Sequence, residues 1–96
     1  MSAIITLRKN REAILHLASK HGARDVRVFG SVARGEDRPD SDVDFIVEME
    51  AGRSLFDRAG LIVDLEALLG RHVDVVTERA MKDHIKKRAL AEAVRL

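Results

Sequence analysis

The sequence predicts a small mixed α/β domain in which one β-sheet is flanked by helices, in the order helix, strand, strand, helix, strand, helix. Two hydrophobic periodicities alternate along the chain: apolar residues three or four apart predict helices, and apolar residues two apart predict strands. Glycines directly after two of the predicted helices mark where those helices end. The chain of 96 residues is short enough to share one core, so we expect a single domain over residues 1–96.

The composition argues against several classes of protein, among them nucleic-acid-binding and membrane proteins. Hydrophobic residues make up 46% of the chain and charged residues 34%, as in globular proteins. The net charge is only +1 and the aromatic residues are three Phe, which argues against a long nucleic acid as ligand. No cysteine is present, and no apolar run has the length of a signal-peptide core or a membrane span, so we expect a cytoplasmic protein.

The first half of the chain reads as one helix and two strands. Apolar residues recur at helical spacing over residues 7–21, and Gly22 then ends the helix. Residues 24–29 alternate as a strand, followed by a short helical turn at residues 32–34 and a polar loop at residues 36–41. The second strand covers residues 43–48. Because side chains alternate along a strand, Asp42 and Asp44 are expected to point the same way.

The second half adds a helix, a strand and a helix. Ser54 is a candidate N-cap for a helix that runs to Leu69 and stops at Gly70. Its buried stripe is predicted to comprise Leu61, Ile62, Leu65, Leu68 and Leu69. A third strand covers residues 72–77, and a basic helix, interpreted as a solvated face, covers residues 79–92. For residues 93–96 the pattern fits either more helix or an edge strand.

The chemistry is concentrated between Gly30 and Asp44. A Gly-Ser turn, Gly30 and Ser31, precedes the Asp42-x-Asp44 pair by ten residues. A turn between a strand and a helical segment offers backbone N–H groups to phosphate, and paired carboxylates suit a hard cation such as Mg²⁺. We therefore predict a site that holds a phosphate chain and a divalent metal together.

Two further residues extend this site. Asp74 lies within an apolar strand, where it is either a third metal ligand that also assists proton removal or a charge at a sheet edge. Arg34 is either a phosphate contact, the interpretation we adopt, or an ion-pair partner of the acidic loop. A calcium loop beginning at Asp40 is excluded, because Phe45 and Ala51 occupy its required glycine and glutamate positions.

The combination of Gly-Ser, Asp-x-Asp and a later strand-borne Asp resembles the polymerase-β-like nucleotidyltransferase superfamily, and its minimal nucleotidyltransferases in particular. The resemblance covers about residues 24–76. It implies a nucleotidyltransferase fold in which Gly30, Ser31 and Arg34 bind the nucleotide. It also implies that Asp42, Asp44 and Asp74 are the catalytic and metal-binding carboxylates, with two Mg²⁺ ions and ATP as substrate.

Short members of this family resemble the antitoxins of toxin–antitoxin modules whose toxin is a HEPN-family ribonuclease. The resemblance implies transfer of AMP from ATP to a tyrosine of the toxin within a hetero-oligomer. Two alternatives stay open: an antitoxin that acts by binding and occlusion without catalysis, and a nucleotidyltransferase that modifies a small molecule.

Overall fold

The computed structural model describes residues 3–96, and within them five α-helices surround one four-stranded sheet. The helices are α1 Ala3–Lys9, α2 Arg11–Lys20, α3 Gly30–Arg34, α4 Leu55–Leu69 and α5 Asp83–Glu92. The strands are β1 Ala23–Phe29, β2 Val43–Met49, β3 Val73–Thr77 and β4 Val94–Arg95. None of the helices in this part of the chain combines the length and apolar character needed to cross a bilayer.

The sheet has the order β3-β2-β1-β4 and is mixed, as predicted. Strand β1 pairs antiparallel with β2 and with β4, whereas β2 and β3 run parallel. A register shift in β1 between Arg24 and Arg27 coincides with Asp25, whose φ of 55° is left-handed. This irregularity is a β-bulge, which increases local twist.

The core lies on one face of the sheet. Phe45 of β2 is fully buried there, together with residues of β1 and β3 and with Leu61 and Leu65 of α4. The intervening residues of β2, including Asp44 and Ile46, project to the opposite face. Ile46 is buried there but lies outside the main cluster. The alternation predicted for β2 is therefore confirmed, and it separates the packing face from the face that carries the carboxylates.

The single helix predicted over residues 7–21 is wrong, because the chain forms two helices separated at Asn10. The side-chain amide of Asn10 donates to the carbonyl oxygen of Thr6 at 2.9 Å, and its backbone has φ −101° and ψ 15°. Asparagine competes with helical hydrogen bonding in this way. Helix α1 buries Ala3 and Leu7, while α2 buries Ile14 and Ala18.

The C-terminal region also differs from prediction. A short 3₁₀ helix at Glu78–Ala80 precedes α5, so the last helix begins at Asp83 rather than at Arg79. The two-residue strand β4 pairs with β1, which resolves the alternatives for residues 93–96 in favour of an edge strand. Leu68, predicted to be buried, is 37% exposed. In contrast, the predicted cap of α4 is confirmed: Ser54 and Asp57 form a reciprocal capping box.

Candidate active site

The site is organised by the register of three strands. Asp44 of β2 lies opposite Phe29 of β1 and opposite Asp74 of β3. Because Asp44 and Asp74 occupy matching positions on adjacent strands, their side chains project from the same face of the sheet as close neighbours. The structure thus brings together two carboxylates that are thirty positions apart in the sequence.

Gly30 brings the turn after β1 against this pair. Its φ is +76°, and a Cβ at this position would lie 2.7 Å from Oδ2 of Asp44. A side chain here would meet both a disfavoured backbone conformation and a direct collision with the carboxylate. The predicted convergence of the Gly-Ser turn with Asp44 therefore exists, and it depends on glycine. Ser31 follows in the first turn of α3 and is half-buried.

The charged groups around Asp44 are more negative than positive. Burial raises the pKa of Asp44 above its ordinary value, and the nearby carboxylates of Asp74 and Asp42 raise it further. The guanidinium of Arg34 opposes this increase. These interactions bring all three predicted carboxylates and Arg34 within electrostatic range of each other. A bound cation would relieve the repulsion, which is the environment that a divalent metal requires.

Asp42 is exposed just before β2 begins, and Asp74 is also exposed. Within residues 3–96, no group of three or more His, Cys, Asp or Glu side chains is already assembled for a metal. Mutual repulsion among three carboxylates gives a physical reason for the separation of their side chains. The donor set is nonetheless oxygen-rich, which suits Mg²⁺.

Arg34 lies at the C-terminal end of α3 and is held by two carboxylates. Its Nε is 3.1 Å from Oε2 of Glu36, and its Nη1 is 3.0 Å from Oε2 of Glu92 in α5. These hydrogen bonds raise the pKa of Arg34. The structure therefore contains the ion pair with the acidic loop that the sequence offered as an alternative. The predicted phosphate contact stays a prediction.

Arg71 has a positioning role that the sequence did not indicate. Its Nε and Nη2 donate to the carbonyl oxygen of Ser41 at 3.0 and 2.6 Å, and Nη2 also donates to the carbonyl oxygen of Arg38 at 2.8 Å. Its Nη1 is 3.8 Å from Oδ2 of Asp37. Arg71 thus fixes the loop that leads into Asp42. No local pattern marks a contact that spans thirty residues or more.

Comparison with known proteins shows the family to which this chain belongs. The sequence profile of the nucleotidyltransferase domain family matches residues 7–96, a range that includes every residue assigned above to the site. The protein adenylyltransferase MntA of Thermococcus cleftensis is 45% identical over 78 residues, which cover 81% of this chain and 79% of that protein.

Solved structures show the same fold. One described as a minimal nucleotidyltransferase is 54% identical, with a TM-score of 0.86 over 95% of this chain and 93% of that chain. The complex of a tri-AMPylated Shewanella oneidensis HEPN toxin with an MNT antitoxin has a TM-score of 0.69 at 19% identity, over 92% of this chain and 69% of that chain. The second likeness concerns the fold alone. From the profile, the relative and the first structure, the chain belongs to the nucleotidyltransferase domain family and is a minimal nucleotidyltransferase.

Proposed function

We propose that this enzyme transfers AMP from ATP to a tyrosine of a HEPN-family toxin and thereby neutralises it in the cytoplasm. The observation that most supports a transfer reaction is the convergence of Gly30 on Asp44, with Asp74 on the neighbouring strand. A phosphate held at the turn would lie next to the carboxylates. The protein acceptor is suggested by the relative from Thermococcus cleftensis, whose name describes a protein adenylyltransferase.

Asp42, Asp44 and Asp74 are the residues that would hold Mg²⁺. Their fit rests on the raised pKa of Asp44, which reflects burial and two neighbouring carboxylates without a compensating cation other than Arg34. When bound, magnesium neutralises charge on the phosphates and favours the ionised form of an attacking hydroxyl. We propose two ions, because pairs of divalent ions serve in-line displacement at phosphorus.

The turn and the arginine would act on the nucleotide. The backbone of Gly30 and the hydroxyl of Ser31 would donate hydrogen bonds to the phosphate chain, and Arg34 would offset its charge. Arg34 would have to exchange Glu36 or Glu92 for phosphate oxygens. Both ion pairs are on the surface, where such pairs contribute about 0–1 kcal/mol, so breaking one of them costs little free energy.

Asp74 would accept the proton of the acceptor. The tyrosine oxygen forms a bond to the α-phosphorus of ATP, the bond from that phosphorus to the bridging oxygen breaks, and diphosphate leaves. The tyrosine proton passes to the carboxylate of Asp74, which is exposed and therefore accessible to a protein substrate. Asp44, which is more buried, is better suited to a purely electrostatic role.

The test is transfer of labelled AMP from ATP to a purified HEPN-family toxin. We expect labelling that requires Mg²⁺ and disappears in the double variant Asp42→Asn with Asp44→Asn. Absence of labelling by the wild-type protein would contradict catalysis. If the double variant still binds the toxin and protects cells, binding and occlusion explain neutralisation instead. If only small molecules are labelled, the acceptor assignment is wrong.

A further inference from the structure

Helix α4 presents an exposed apolar surface on the side away from the core. Phe56 is 89% exposed, Leu55 75% and Val63 63%. Phe56 and Val63 are seven residues apart, so they lie on one line along the helix, with the small residue Ala59 between them. The helix is thus apolar on both sides, a pattern typical of a helix that is covered on both sides.

The total accessible surface of the chain is larger than expected for a compact monomer, which supports a binding partner on this side. The molecule exposes 6097 Å². A compact monomer of 10.7 kDa is expected to expose about 5,500 Å². The difference is about a tenth of the surface. The excess is in total surface; the apolar side chains exposed together on α4 are the part of it that marks an interaction site.

A groove lies next to Phe56, between Leu55 and the ends of β2 and β3. It has a volume of about 350 Å³ and is lined by Met49, Leu55, Val76 and Ala80. Arg53 and Arg58 complete its walls, and Nη1 of Arg58 is fixed by donating to the carbonyl oxygen of Val75 at 2.7 Å. Apolar walls with guanidinium groups favour a phenyl ring over an aliphatic guest, because the ring also makes a cation–π contact.

Phe56 is the aromatic residue of this chain that is free to fill such a groove. Of the three Phe residues, Phe45 is fully buried, and Phe29 is half-buried in β1 at the position paired with Asp44. Phe56 is directed into solvent from the same helix that borders the groove. It is therefore not buried within its own molecule.

We propose that the chain forms a two-fold symmetric dimer in which Phe56 of each copy inserts into the groove of the other. A two-fold interface requires one patch that carries both the inserting residue and its pocket, and the two lie side by side here. Reciprocal insertion buries both aromatic residues and closes the assembly at two copies. The net charge of +1 adds little repulsion between copies.

The available area is adequate for a stable dimer. Leu55, Phe56 and Val63 together expose on the order of 400 Å² of apolar surface, given about 150–250 Å² for a whole aromatic side chain. A standard interface buries about 800 Å² per partner, of which about two thirds is apolar in homodimers. These three residues and the groove walls would supply most of that apolar area.

The dimer surface is distinct from the active site. Asp44 and Asp74 lie at the beginnings of β2 and β3, whereas Met49 and the groove lie towards their ends. From Asp44 to Met49 the strand rises about 16 Å. The proposal therefore goes beyond the transfer reaction and does not depend on it.

The experiment is analytical ultracentrifugation of the chain alone, with the variants Phe56→Ala and Ile85→Ala. Ile85 is a matched control, since it is an apolar residue of α5 with 46% exposure. We expect a dimer for the wild type and for Ile85→Ala, and a dissociation constant at least tenfold higher for Phe56→Ala. A larger residue at the groove, Ala80→Leu, should weaken the dimer independently. Circular dichroism would verify that each variant is folded.

Three outcomes would overturn the proposal. The first is that the wild-type chain is monomeric at about 0.1 mM, a concentration at which weak specific dimers still form. Another is equal weakening by Phe56→Ala and Ile85→Ala. The third is a wild-type chain that is monomeric alone but loses toxin binding on Phe56→Ala, which would assign the surface to the toxin. AMP transfer should be unchanged in Phe56→Ala, so failure here is distinguishable from failure of the proposed reaction.

Discussion

Gly30 and Asp44 show how a single contact connects sequence to chemistry. The glycine has the left-handed φ of +76° and leaves room for a carboxylate that a Cβ would meet at 2.7 Å. The Gly-Ser and Asp-x-Asp motifs therefore indicated the correct pair of neighbours from the sequence alone. What the sequence could not indicate is which atom makes the contact, because that depends on the register between β1 and β2.

Gly30→Ala should impair both stability and transfer. The left-handed backbone costs about 1–2 kcal/mol for a residue with a Cβ, and the contact with Asp44 adds to that cost. Gly35→Ala is the matched control, since Gly35 has φ +73° and a Cβ added there would meet no atom within 4 Å. Chemical denaturation should reveal destabilisation of both, with the larger loss for Gly30→Ala. Transfer should be lost only in Gly30→Ala, and equal effects of the two variants would contradict the contact.

Asp44→Asn should stabilise the fold while abolishing transfer. Burial and two neighbouring carboxylates raise the pKa of Asp44 above 3.8, so its ionised form is unfavourable in the folded state. The protonated form of Asp44 stabilises the folded state. This stabilisation is complete below pH 3.8 and is lost as the pH rises through the folded-state pKa. Without divalent cations at pH 7, the variant should have the higher Tm, and the difference should shrink in acid. A gain of about 1 kcal/mol corresponds to about 4–8 °C for a domain of this size. A lower Tm for Asp44→Asn at pH 7 would contradict this electrostatic account.

At the scale of elements, α4 is specified well by local sequence. The N-cap oxygen of Ser54 accepts from the backbone N–H of Phe56 at 3.2 Å, and Asp57 Oδ2 accepts from the backbone N–H of Ser54 at 2.9 Å.

The same helix also protects the edge strand β3. Glu66 Oε2 accepts from the N–H of Val73 at 3.1 Å, and Arg58 donates to Val75, so two outward-facing backbone groups of that edge are already paired.

Loss of the capping box should have a pH signature. Ser54→Ala should cost about 1 kcal/mol at any pH near neutrality. The backbone hydrogen bond from Ser54 lowers the pKa of Asp57 below 3.8, so its stabilisation is present above that value and is lost as the pH falls through the folded-state pKa. Denaturation from pH 7 to pH 2 should therefore show a deficit for Asp57→Asn that disappears in acid. A deficit that is independent of pH would contradict the capping role of the ionised carboxylate.

Periodicity did not specify two features of the fold, the break between α1 and α2 and the short strand β4. Asn10 breaks the first helix through a local side-chain bond, but Ile14 on the far side of the break is still buried at helical spacing, so periodicity alone could not reveal two helices. Strand β4 has only two residues and forms because β1 offers a free edge. Local propensity carries too little information over two residues to predict such a strand.

At the scale of the whole molecule, one packed face of the sheet supports the candidate catalytic carboxylates on the other. Phe45 is fully buried next to Asp44 in sequence, and it points to the opposite side of β2. Arg71 and Glu92 illustrate what a sequence cannot indicate, since each reaches the site region from another part of the chain. The proximity of Gly30 to Asp44 could be predicted from the sequence, whereas the contacts of Arg71 and Glu92 required the fold.

Phe45→Ala should remove a large part of the stability of the folded state. Truncation of a buried Phe costs about 3–5 kcal/mol. A chain of 96 residues is expected to have a total stability of about 5–14 kcal/mol. Equilibrium urea denaturation would measure the loss, and Phe45→Leu, which retains most of the volume, should lose much less. Similar losses for the two variants would argue against tight packing at this position.

The most direct test of nucleotidyl transfer at this site is intact-mass spectrometry of a purified HEPN-family toxin after incubation with this protein, ATP and Mg²⁺. The wild-type protein should add one or more adenylyl groups at a tyrosine. Asp42→Asn, Asp44→Asn and Asp74→Asn should each reduce that addition by at least a hundredfold, as expected when a residue at the reacting phosphate is lost. Undiminished addition by Asp44→Asn, or no addition by the wild type, would contradict a carboxylate-based nucleotidyl transfer at this site.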